Sequence, residues 1–193
     1  MKDEIEDRLE KNLHRVKNLV DIFENSAPKR TQKVTDTDIL RAATVFLHAT
    51  LEDFLRSIAA WKLPLVPAEK LEDIPLAGMG KKLKFSLGDL ADYRNKRVDE
   101  LIKLSVEEYL ERSNYNNTTE ISNLLEDIGI TIVKVQSSFT DISKLMKRRH
   151  QIVHRVDRKH TTGKAASLTK DDVNCWIGAV KKFTSNVLDE IPA

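Results

Sequence analysis

Apolar residues recur every three or four positions along most of this chain, the spacing that gathers them onto one face of an α-helix. The first such stretch runs from about Lys2 to Ser26, with Ile5, Leu9, Leu13, Val16, Val20 and Phe23 on one side and charges on the other. Pro28 closes it. A second begins at Thr35 or Asp36, where Thr35 and Asp38 have capping-box spacing, and continues to Leu63. It is apolar almost all round, from Ile39 through Leu47, Phe54 and Ile58 to Trp61, which predicts the most buried helix of a bundle.

An irregular stretch follows from Pro64 to Ser86, broken by Pro67, Pro75, Gly78 and Gly80, with at most a short helix near Ala68 to Asp73. Loops this long are more often functional or mobile than simple connectors. A third helix is predicted from Leu87 to Arg112, capped by Ser86. The stretch NYNNTT reads as a turn before a fourth helix, Thr118 to Ile128, opened by Asn117 and Glu120 and ended by Gly129. ITIVKV (130–135) has strand composition but no pairing partner, so it reads as an extended link or a helix lead-in. A fifth helix spans Ser138 to Asp157. After the polar loop RKHTTGKAAS comes the last, where Thr169 and Asp172 precede Val173, Trp176, Ile177, Val180, Phe183 and Val187. The expectation is an all-α bundle of about six helices, with a long irregular loop between the second and third.

The fifth helix contains an anomaly. Phe139, Ile142, Leu145, Met146, Ile152, Val153 and Val156 form its apolar arc, and at about 100° per residue Arg149 falls near the middle of it. A desolvated guanidinium needs a partner, because an unpaired buried charge costs several kcal/mol. On the second helix Arg41, Thr44, His48 and Glu52 make one polar stripe at three- and four-residue spacing. Glu52 is the first choice to pair with Arg149, with His48 beside it; the plainer reading makes the stripe a solvent-facing or dimer-facing edge.

Composition narrows the class. With 193 residues, 40% apolar and 32% charged, 6 Gly and 5 Pro, the sequence suits one charged helical domain, residues 1–193. The net charge of +2 excludes a strong overall pull on polyanions, yet charge is segregated. From Lys144 to His160 there are seven Lys or Arg against one acid, Asp157. One cysteine excludes an internal disulfide, MKDEIEDRLEK resembles no signal peptide, and no apolar run nears the roughly 20 residues of a membrane span. A cytoplasmic location without membrane association is expected.

His150 and His154 lie four apart on one helical face, one position beyond Arg149. The run Arg149 to His154, R-H-Q-I-V-H, resembles the motif of the HEPN superfamily: an Arg, a polar residue, three more positions, then a His. ILRAATVFLHATLEDFL and KFSLGDLADYRNKRVDELI are similar to the RiboL-PSP-HEPN branch, and the resemblance covers most of the chain. It implies a metal-independent endoribonuclease, acting as a toxin or anti-phage effector, that cleaves RNA through 2′-hydroxyl attack at a site shared by two protomers of a homodimer.

On that reading His154 is the general acid or base, Arg149 clamps the phosphate, and His150 orients groups or contacts substrate. Glu52 and His48 support them, and Lys147, Arg148, Arg155, Arg158 and Lys159 track the RNA backbone. The partners implied are RNA, a second copy of the chain and an antitoxin protein, with no cofactor. In members paired with a nucleotidyltransferase antitoxin, a Tyr that accepts AMP stands two places after the motif His; here that place is Val156. The alternative is a catalytically silent HEPN module that binds RNA or a protein.

Three weaker signals point elsewhere. His150 and His154, with Asp157 or His160, have metal-ligand spacing but lack the catalytic Glu of H-E-x-x-H, so no metal is expected. AGMGKK lacks the glycine spacing of a phosphate loop and reads as a turn. Cys175, beside Trp176, is expected to pack in the core.

Overall fold

The computed structural model describes residues 1–26, 34–158, 163 and 166–191, with backbone alone for 34–36. It is all-α: seven helices and no β-strand among the described residues. They are α1 (Lys2–Ser26), α2 (Val34–Lys62), α3 (Val98–Arg112), α4 (Thr118–Asp127), the single turn α5 (Ile132–Val135), α6 (Phe139–Arg155) and α7 (Lys170–Glu190).

α2 is the axis of the bundle, packing against α1, α3, α6 and α7. Its Leu40, Ala43, Leu47, Leu51, Phe54, Leu55, Ile58 and Ala59 are all buried, so it supplies core on several sides at once. α1 places against it the six apolar residues that the periodicity selects, all buried. α7 contributes Val173, Trp176, Ile177, Val180, Phe183 and Val187, and its entry is fixed by the Thr169 hydroxyl accepting from the Asp172 N–H while Asp172 caps Thr169 in return.

Local chemistry explains where several helices start and stop. Asn117 Oδ1 accepts from the Glu120 N–H at 2.9 Å and opens α4, and Gly129, at φ 78°, turns the chain so that the Ile130 N–H returns to Leu125 O at 2.7 Å. ITIVKV is a lead-in: α5 runs into a 3₁₀ turn, Gln136–Ser138, that feeds α6. The proposed Thr35 cap lies outside the described side chains.

Two expectations need correction. The third helix starts at Val98, not Leu87: Ser86 does engage Asp89, but its N–H and hydroxyl open only a 3₁₀ segment, Gly88–Tyr93. Residues 91–97 are exposed apart from Tyr93, so no apolar face carries an α-helix through them. Cys175 is exposed rather than packed, because it precedes buried Trp176 by one position and so lies about 100° round the helix.

The long loop is pinned to α3. The Ala77 N–H donates to Ser105 Oγ at 2.9 Å, the Gly78 N–H to Glu108 Oε2 at 2.6 Å, and the Tyr93 hydroxyl to Ala77 O. Gly78 sits at φ 77°, and a Cβ there would come 3.0 Å from the Tyr93 hydroxyl.

Because Leu51 is fully buried at the centre of α2, Leu51→Ala is expected to cost about 2–5 kcal/mol, measured as a lower denaturant midpoint in chemical unfolding.

Candidate functional site

The polar stripe of α2 faces inward. Arg41, Thr44 and His48 are buried and the Glu52 side chain is 14% exposed, which rules out the solvent-edge reading. α6 packs across α2. Its apolar arc is covered only in its first half, through Ile142, Leu145 and Met146. Beyond them Val153 is 47% and Val156 77% exposed. Arg149 is half-buried at the point where α6 leaves the core, so its place in the arc is a boundary and not an interior position.

Two arginines stand side by side at this boundary, and they part company. Arg148 turns inward: its side chain is 14% exposed, and its Nη2 lies 3.0 Å from Asp157 Oδ2, 2.8 Å from Ser167 O and 3.2 Å from Ala166 O. Asp157 Oδ2 also accepts from Arg41 Nε at 2.7 Å. The Asp157 side chain is wholly buried. Arg148 was expected to track RNA at the surface; that expectation is corrected, because its charge is engaged by a buried carboxylate.

Arg149 makes no hydrogen bond or ion pair among the described residues, so its expected bond to Glu52 is absent. Glu52 instead brings Oε2 to 3.6 Å from His48 Nδ1, beyond hydrogen-bond reach, and that nitrogen has no partner. Burial lowers the pKa of His48 below its ordinary value; Glu52 pulls it up, the Arg149 guanidinium pushes it down, and the Tyr115 backbone raises it. Arg149 and His48 therefore share one electrostatic neighbourhood, with His48 neutral. Tyr115, itself buried, has its phenol pKa raised, by burial first of all.

His150 and His154 are exposed on α6, their ring centroids 4.5 Å apart and tilted by 43°. Lys147, Arg155 and Arg158 are exposed around them; Lys159 and His160 lie outside the described residues. The structure thus brings together two accessible imidazoles, a guanidinium with no hydrogen-bond or ion-pair partner among the described residues, and a fringe of cations. Imidazoles are groups that can pass protons and a guanidinium is a group that can pair with a phosphate, so the set has the chemistry a phosphodiester calls for. Among the described residues, no three His, Cys, Asp or Glu cluster as metal ligands, and no helix is long and apolar enough to cross a membrane.

Sequence reasoning missed Asp157 as a structural partner. The available signal was its being the one acid in a basic run, just past a helix end.

The RiboL-PSP-HEPN family model matches residues 4–192. The chain belongs to the RiboL-PSP-HEPN branch of the HEPN superfamily. HEPN domains are often ribonucleases and commonly bind RNA and act as dimers. Searches of the curated proteins and of the solved structures found no match.

A histidine kept neutral by burial has a pH signature. With its folded pKa depressed, unfolded chains bind the extra proton, so the stability from neutral His48 is full above about pH 6.5 and is lost as pH falls towards the lower folded value. Denaturant midpoints measured from pH 7.5 to 5 should fall less steeply in His48→Gln than in the parent; parallel curves would remove His48 as the source.

Proposed function

We propose that this protein is a metal-independent endoribonuclease whose active site is completed by a second copy of the chain. The observation that carries the reading is the exposed His150–His154 pair on α6, one position beyond an Arg149 that has no hydrogen-bond or ion-pair partner among the described residues.

Cleavage through the RNA's own 2′-hydroxyl needs a base to take the hydroxyl proton and an acid to protonate the departing 5′-oxygen. The 2′-oxygen bonds to phosphorus as the bond to the 5′-oxygen breaks, leaving a 2′,3′-cyclic phosphate. Charge accumulates on the phosphate oxygens, where a bidentate guanidinium is the fitting partner. His154 serves as acid or base and Arg149 as phosphate clamp, with His150 orienting the substrate. His48 and Glu52 support Arg149 from beneath, through the field they share.

One motif supplies one well-placed proton-transfer histidine, and a twofold pair supplies two. Val153 and Val156, exposed beside His154, offer an apolar strip for that second copy. Lys147, Arg155 and Arg158, with Lys159, follow the RNA backbone, so binding weakens with salt. The setting that fits the family is a cytoplasmic toxin or anti-phage effector restrained by an antitoxin protein.

End-labelled single-stranded RNA incubated with the protein in EDTA tests the reading. Cleavage to 2′,3′-cyclic ends should persist in chelator, and fall about 10²- to 10⁴-fold in His154→Ala and in Arg149→Ala. RNA bound but never cut would make the chain a binding module instead.

A further inference from the structure

The turn that follows the motif is unusual. Val156 and Asp157 are both left-handed, at φ 50° and 55°, and neither is glycine. A β-branched residue is a rare occupant of that region, and such a turn persists only where its surroundings over-determine it. Here the N–H groups of Val156 and Asp157 both return to Gln151 O, and the Asp157 carboxylate is drawn under the helix end by Arg41 from α2 and Arg148 from α6. The Ala166 carbonyl receives both Arg41 and Arg148, and the Ala166 N–H donates to Asp157 O at 2.8 Å, so the chain leading into α7 is tied to the same point.

We infer that Asp157 is a positioning residue for the site: it sorts the adjacent arginines, withdrawing Arg148 into a buried clamp so that Arg149 alone is left for phosphate, and it fixes the end of α6 that carries His154. The inference rests on the nuclease reading for its consequence in catalysis, and on the Arg41–Asp157–Arg148 geometry for the sorting itself. Two free guanidinia side by side would let RNA bind in two registers, and only one of these places the phosphate over His154. Asp157 touches no reacting atom. It acts through Arg148 and the backbone turn.

Asp157→Asn keeps the size and some hydrogen bonding but removes the charge. It is expected to lower kcat at least tenfold while KM stays the same or falls, because Arg148 is released to the surface as an additional cation. For single-stranded RNA the dependence of log K on log salt should steepen by about 0.7, the contribution of one extra phosphate contact. Arg148→Ala provides the second arm, since Asp157 keeps its bond to Arg41. It should leave the salt slope unchanged, whereas Arg155→Ala should reduce it by about 0.7.

The His154 imidazole resonances, followed by NMR in parent, Asp157→Asn and Arg148→Ala, report positioning whether or not RNA is cut. They should move in both variants. If the parent cleaves no RNA, the nuclease reading fails while the imidazole shifts still decide the positioning. Parent-like kcat and unmoved imidazole resonances in folded Asp157→Asn, or an Arg148→Ala slope reduced as much as that of Arg155→Ala, would overturn the inference.

Discussion

A cation enclosed between helices must be met by a carboxylate, and in this bundle Asp157 meets two. Its Oδ2 lies 2.7 Å from Arg41 Nε and 3.0 Å from Arg148 Nη2, with the side chain wholly out of solvent. Such a cluster is poor evidence of added stability, since desolvation offsets much of the attraction; removing one partner alone typically costs about 3–5 kcal/mol. Its contribution is geometric. It joins the start of α2 to the end of α6 and to the strand of chain leading into α7, so the motif helix ends in one orientation.

The charge left over follows from that arrangement. Arg148 and Arg149 differ by one position and therefore by about 100° around α6, which takes one guanidinium into the clamp and leaves the other at the core's edge beside His48. A neutral, buried His48 and an adjacent Glu52 give Arg149 a polar floor without tying it down by a direct bond. Around it the two imidazoles of α6 and the two valines near its end are exposed to solvent. An arginine at a boundary, with polar groups below and solvent above, can meet a phosphate without first breaking an ion pair.

Much of the fold was legible in the sequence wherever a signal was local and repeated. α1 runs over the predicted span because six apolar residues share one face, and α7 and α4 begin at side chains whose caps are visible as Thr169–Asp172 and Asn117–Glu120. The start of α3 was not legible, because Ser86 and Asp89 make the same local bonds whether a 3₁₀ turn or a full helix follows; only the exposed surface of residues 91–97 distinguishes them. Among the site residues, the shared face of His150 and His154 was legible from their spacing. The pairing of Arg148 with Asp157 was not, because it depends on a left-handed turn at Val156 and Asp157, where sequence rules look for glycine or asparagine. Helical spacing alone puts Arg149 in the apolar arc and Glu52 on the facing stripe, whereas the left-handed turn brings a carboxylate to Arg148.

The account stands on two copies of α6 meeting through their exposed ends, so that imidazoles and guanidinia from both enclose one phosphate. Sedimentation of the parent and of Val153→Glu, which puts like charges into the apolar strip beside His154, tests that meeting most directly. The account predicts a parent at twice the mass of the chain and a variant at the mass of one. A monomeric parent, or a dimer indifferent to the substitution, would contradict it.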